Sequence, residues 1–356
     1  MTAHLILTVD YEVFGNGQGC VKHCVVEPAS RLLRLADRFD APVTLFAEAA
    51  EFMAMEREMG PGAVRDVREQ LAGAVAGGHD VQLHLHPQWQ AAKKRDGGWE
   101  LDLDRWRIGD LQEDEIEDLI AVSRAWLDDV AFARTPGGHC LAFRAGNWCI
   151  QPSAAVVRSL GRQGFRVEST VVPGMRRSDQ GQWSDFRSAP DLPFWRVESD
   201  VCRAGASGLW EVPIVSARVP RLEQLAAELQ ARKTENSRFA PNCSGSYATR
   251  SGGLDRVTAN VRKLLDLGLA KLDFSTMPAR TLVTITEDWL RRFDDPQRPT
   301  PIVAIAHTKN WTDRSTSHLT EYLAWARGAG IRFSTYPEWL SSVEPATGSV
   351  PRAMPA

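Results

Sequence analysis

One pattern constrains this chain more than any other: a short apolar run that reads as a strand, followed by a stretch with helical spacing, repeated along nearly its whole length. "LILTVD" is followed by "EPASRLLRLADRF", then "PVTLFAE", then a long helical region closing at "GG" before "HDVQLHLH". The alternation continues through "DLQEDEIEDLIAVSRAWLDDV", "LAFRA", "PSAAVVRSLGRQG", "FRVESTVV" and "LWEVPIV". It ends with "PIVAIAHT", "LTEYLAWARGAG" and "IRFSTYP". Apolar strands each followed by an amphipathic helix argue for a parallel sheet covered by helices. So many units predict an α/β fold, a closed or nearly closed (β/α) barrel. Asp110 and Glu113 have the spacing of a capping box ahead of one helix. Residues 1–342 read as a single barrel domain. Residues 234–253, rich in Ser, Asn and Gly, read as a loop insertion expected to lid a site. Residues 343–356 read as a flexible tail.

Composition removes several classes of function. With 43% hydrophobic residues among 356, the chain can bury a large core. A net charge of -3 without a run of like charges lacks the basic footprint of a nucleic-acid binder. No apolar run reaches the length of a membrane span, and "HLILTVD" follows residue 1 without the pattern of a secretory leader, so a cytoplasmic protein is expected. The six cysteines, at 20, 24, 140, 149, 202 and 243, form no CxxC pair and read as reduced thiols.

In a barrel of this kind functional side chains emerge at the C-terminal ends of strands, and several candidates lie there. "HLH" places His84 and His86 on one face of a strand end, a beginning for a transition-metal site that a carboxylate would complete. "TVDYE" places Asp10 and Glu12 two apart and therefore also on one face. "FRAGNW" puts Arg144 at a strand mouth, "VEST" puts Glu168 at the next, and "IVAIAH" runs into His307. Each also has an ordinary structural reading, as a cap, a surface cation or a satisfied core histidine. His79, at the start of its strand, belongs to the opposite end and reads as structural.

Taken in order, these segments resemble the polysaccharide deacetylases, the NodB-homology or carbohydrate esterase family 4 proteins. "LTVDYE" is similar to the family's first motif, "GHDVQLHLHP" to its second, "FRAGNW" to its third, "GFRVESTVV" to its fourth and "IVAIAHT" to its fifth. The resemblance spans residue 5 to about 340 and implies a distorted (β/α) barrel of seven or eight strands. It departs from the family pattern at Tyr11, where a second acid is usual, which moves the ligand role to Glu12. It departs again at the histidines, which are two apart rather than four, and at Glu168, where an Asp is common.

The resemblance implies a metal-dependent amide hydrolase that takes an acyl group, acetyl above all, from an N-acylated amino sugar or sugar-containing precursor. It implies Glu12, His84 and His86 as ligands of a divalent transition metal, zinc first and cobalt, nickel or iron as alternatives. Asp10 would be the base, steadied by Arg144, and His307 the acid, kept cationic by Glu168. Trp89, Trp148 and Trp311 follow these motifs closely and could stack on a sugar ring, with core packing the competing reading. The alternatives are a non-catalytic saccharide-binding or scaffolding barrel and a hydrolase of a non-sugar amide. No nucleic-acid partner is expected, and the oligomeric state is not read from the sequence.

Overall fold

The structure is a computed structural model that describes residues 2–96, 98–179, 182–220 and 267–344. Its centre is a nine-stranded sheet. The strands are β1 (Ala3–Tyr11), β2 (Val43–Glu48), β3 (Asp80–Leu85), β4 (Ala142–Ala145), β5 (Val167–Glu168), β6 (Trp195–Val197), β7 (Leu209–Glu211), β8 (Thr300–His307) and β9 (Arg332–Phe333). Eight of them follow the order β6-β7-β5-β4-β3-β2-β1-β8, and β9 pairs with β1. All pairings are parallel except β6 with β7. Every residue of β1, β2 and β3 is buried, as expected of central parallel strands covered on both faces.

Helices form the outer layer: α1 (Glu27–Asp37), α2 (Ala49–Met59), α3 (Arg65–Ala76), α4 (Glu113–Phe132), α5 (Ala154–Arg162), α6 (Ala279–Phe293), α7 (Asp313–Gly328) and α8 (Tyr336–Val343). Each is amphipathic, and α1 shows the rule, turning Leu32, Leu35 and Ala36 inward. The expected capping box at Asp110 and Glu113 does not form. Gln112 is the N-cap of α4 and gives no side-chain cap, while Asp110 pairs with Arg107.

The fold is thus the expected distorted barrel, in the form of an open half-barrel whose gap is bridged by single contacts. Ile214 N–H donates to Val171 at 2.9 Å and Val215 N–H donates to Val303 at 3.0 Å. Leu272 N–H then donates to Val215, and Ile305 N–H to Leu272. The expected insertion at 234–253 and most of the expected tail lie outside the described residues. Among the described residues no helix is long and apolar enough to cross a membrane, and no disulfide joins the cysteines.

Candidate active site

Parallel register carries side chains from five strands to one rim. Asp10 is level with His307 across β1 and β8, Glu48 with His84 across β2 and β3, and His84 with Arg144 across β3 and β4. The alternation of β1 turns Tyr11 the other way, to the helices, where its hydroxyl donates to Gln70 at 2.7 Å and its ring meets Phe52. Asp10 and Glu12 are left facing inward, both buried.

Four buried side chains, Glu12, Glu48, His84 and His86, bring ligand atoms within 4.8 Å of one another. Glu48 was not among the residues singled out by sequence. It caps α2, its Oε1 accepting the N–H groups of Ala50 and Glu51, which leaves Oε2 turned to the cluster. Glu12 is divided in the same way: Oε1 accepts from Lys309 Nζ at 2.7 Å, and Oε2 lies 3.5 Å from His84 Nε2 and 3.0 Å from His86 Nδ1. His86 Nδ1 is also 2.8 Å from Glu48 Oε2. Yet Glu12 Oε2, Glu48 Oε2 and His86 Nδ1 make no hydrogen bond of acceptable geometry. Close approach without hydrogen-bond alignment is what donor atoms aimed at a shared centre produce.

Two further features suit a metal. His84 Nδ1 lies 2.9 Å from the Arg144 carbonyl, which can only accept, so Nδ1 carries the proton and Nε2 presents its lone pair to the cluster. Gly146 backs the His86 ring: a Cβ there would fall 1.9 Å from its Cδ2. The residues therefore fit a divalent cation of the kind that mixed imidazole and carboxylate donors bind. The narrow spacing of the two histidines is accommodated because His84 uses Nε2 while His86, just past the end of β3, uses Nδ1.

Beside this cluster lies a second one, Asp10, Glu12 and His307, which shares Glu12 with it. Arg144 crosses the barrel interior over the ring of Phe46, 4.1 Å away, and donates from Nη1 to Asp10 Oδ1 at 2.7 Å. Burial would raise the Asp10 pKa, but Arg144 first, then His84 and His307, bring it below the ordinary aspartate range. Asp10 Oδ2 is 3.3 Å from His307 Nε2. Burial holds the His307 pKa down at about 4; Asp10 pulls upward and Lys309 pushes further down. Glu12 is likewise held well below the carboxylate range, with Lys309 and His86 overriding the effect of burial.

Not every expected residue arrives here. The carboxylate facing His307 is Asp10, and Glu168 is engaged elsewhere. Its oxygens accept the N–H and the hydroxyl of Thr170, and the Thr170 hydroxyl oxygen accepts the N–H of Ala145 on the strand that carries Arg144. Burial raises the Glu168 pKa. Trp89 is fully buried against Trp99, and Trp311 is 3% exposed against Phe274, so neither offers a face to a ligand. Trp148 does, lining a cleft of about 250 Å³ together with Asp10, Glu12, Arg144 and His307. His79 lies at the far end of β3, accepting from Val43 N–H and meeting Asp37.

No family model matches the chain, and no curated protein matches it. Solved structures do. A Mycobacterium smegmatis protein described as a polysaccharide deacetylase superposes with a TM-score of 0.50 at 15% identity, over 99% of this chain and 95% of that one. The chain shares the NodB-like deacetylase fold. A protein described as a polysaccharide deacetylase from Pseudomonas aeruginosa PAO1 gives 0.47 at 13% identity, over 95% and 89%. A GH57-type branching enzyme from Pyrococcus horikoshii gives 0.49 at 10% identity, over 96% and 70%.

Proposed function

We propose that the protein is a metal-dependent amide hydrolase that removes an acyl group, acetyl above all, from an N-acylated amino sugar or a sugar-containing precursor. The observation that carries this reading is the sharing of Glu12 between a four-ligand cluster and the Asp10–His307 pair, with a cleft lined by Asp10, Glu12 and His307. Glu12, Glu48, His84 and His86 would hold the metal, zinc first and cobalt, nickel or iron as alternatives. When bound, a divalent metal polarises an amide carbonyl and makes a water acidic enough to attack near neutral pH.

The chain's own residues account for the proton. Asp10 is kept ionised by Arg144, its Oδ2 is turned toward His307, and it accepts the proton that the attacking water loses. His307, with a pKa of about 4, is neutral at pH 7 and cannot start as a cationic acid. It acts instead by receiving that proton from Asp10, 3.3 Å away, and passing it to the amide nitrogen as the carbon–nitrogen bond breaks. The products are a carboxylic acid and an amine, and both catalytic groups return to their starting state.

The test is metal content per chain after dialysis, set beside acetate release from N-acetylated sugars. Glu12→Gln, Glu48→Gln and His84→Ala should lose metal and activity together, whereas Asp10→Asn should keep the metal and lose most of the rate. Absence of any stoichiometric transition metal after reconstitution would refute the reading. If Asp10→Asn instead strips the metal while Glu12→Gln stays loaded and active, the roles of the two acids are exchanged.

A further inference from the structure

The cleft contains more positive charge than its own acids use. Asp10 is held by Arg144, Glu12 by Lys309, and Asp273 accepts the N–H and hydroxyl of Ser275 on Oδ1, at 3.0 and 2.6 Å. Two cations, Lys271 and Arg177, stand outside these ion pairs against the single remaining carboxylate, Asp273, and both are stationed over the same ring. Lys271 Nζ is 4.0 Å from the Trp148 centroid and Arg177 Cζ is 5.4 Å from it. Among the described residues neither forms an ion pair with a carboxylate. They come from unrelated elements, Lys271 from the strand Leu267–Lys271 and Arg177 from the strand Arg176–Asp179.

The indole that gathers them is itself held at some expense. Asn147 and Trp148 have φ of 53° and 59°, a left-handed pair that non-glycine residues rarely adopt, and this turns the ring across the cleft, 6.3 Å from His307 between ring centroids. Two like charges held against one ring repel each other. The Lys271 pKa is lowered, by burial first and by Arg177 and Arg144 in addition, although Asp273 and Asp10 oppose this. A ring–cation contact stabilises each cation only modestly. An anion in the cleft that both line would satisfy both with charge-assisted hydrogen bonds.

We propose that the substrate carries an anionic group, a carboxylate or a phosphate, that docks on Lys271 and Arg177 over Trp148, beside the amide that faces Asp10 and His307. The position of the amide rests on the hydrolase reading above, while the anion site rests on the cleft alone. The test is calorimetric titration of the full-length protein with N-acetylglucosamine, its phosphate ester, N-acetylmuramic acid and N-acetylglutamate. The phosphate ester or one of the two acids should bind about 10- to 100-fold more tightly than the neutral sugar, the range of a charged hydrogen bond, and the gap should narrow with added salt. Lys271→Met and Arg177→Met should each reduce that preference. Arg176→Met, which loses only a contact to Asp185, should keep it.

Equal affinity for the neutral and charged sugars, no binding of any anionic probe in the millimolar range, or a preference that survives the double variant would each overturn the proposal. Acetate release separates the two ideas. Anionic preference without turnover of any probe would sink the hydrolase reading and leave the anion site standing. Turnover indifferent to charge would do the reverse.

Discussion

Gly146→Ala is a small change with a large expected consequence, because it touches the metal cluster through a single contact. Gly146 follows β4 with no positive φ, so alanine is compatible with its backbone, and the cost falls on what the methyl meets. That is the His86 ring, at 1.9 Å from Cδ2 and 2.5 Å from Cγ and Nε2, where ordinary contact begins at 3.4 Å. The ring must retreat by about 1.5 Å, the difference between 3.4 and 1.9 Å. Metal–ligand distances tolerate only ~0.2 Å, so His86 would leave the coordination sphere. A site that loses the placement of one ligand should weaken by at least about 10- to 100-fold. The assay is competition for the metal against a chelator of known affinity, with circular dichroism to confirm the fold. The decisive control is the double variant with His86→Ala. If the methyl acts through His86 alone, the double variant should bind metal no worse than His86→Ala, a non-additive result expected of two groups in contact. Undiminished metal affinity in Gly146→Ala would refute both the crowding argument and the assignment of His86 as a ligand.

Two other outcomes follow from the geometry. His307→Gln should retain its metal and lose about 100- to 10,000-fold in turnover, the range for one proton-transfer group; loss of metal on dialysis would make His307 a ligand instead. Asp80, buried at the opposite end of β3, has its pKa raised by burial to about 6 from the usual 3.8, despite bonds from Gln82 and Thr44. The folded state therefore holds this proton more tightly than the unfolded chain, and stability falls as pH rises from near 4 to 6 and stays reduced above that. The penalty is of order 3 kcal/mol at most. Asp80→Asn should thus be the more stable protein at about pH 7 in urea unfolding, with the difference gone near pH 4; a constant difference across that range would count against the assignment.

The barrel was legible because central parallel strands are buried on both faces, so "LILTVD" and "PIVAIAH" stand out as unbroken apolar runs. The closure of the barrel was not, since residues 214, 215 and 272 bridge it through single hydrogen bonds with no strand length to show in a pattern. The rule that drew attention to Asp10, His84, Arg144 and His307, a polar group at a strand's C-terminal end, applies equally to Glu48 at the end of "VTLFAE". Glu48 was overlooked because it runs directly into a helix, and glutamate is not a usual N-cap. Glu168 and Trp311 show the opposite failure. Proximity to a motif in sequence says nothing of which way a side chain turns, and a bond partner such as Thr170, or a ring such as Phe274, decides it.

The charge of the cluster bears on the proposed metal site. Three buried carboxylates, Asp10, Glu12 and Glu48, face two fixed cations, Arg144 and Lys309, and each acid has one oxygen anchored and the other turned to the site. The pKa of the neighbouring Glu51 is pushed well above the carboxylate range by burial first and then by Glu48 and Glu12, and both its oxygens accept Val13 N–H. One negative charge is left over. In the metal-free protein it falls to His86: burial would lower its pKa, but Glu12 and then Glu48 override that and raise it to about 10. A protonated His86 supplies the positive charge beside Glu12 and Glu48 that a metal would otherwise supply. Metal binding through His86 would have to expel a proton, which would tie affinity for the metal to pH. With its pKa raised in the folded state, His86 contributes stability at neutral pH that is lost as pH climbs from about 6.5 toward 10. Glu12 Oε2, Glu48 Oε2 and His86 Nδ1 nonetheless lack a hydrogen bond of acceptable geometry, and that is the feature that suits the cluster to a divalent ion.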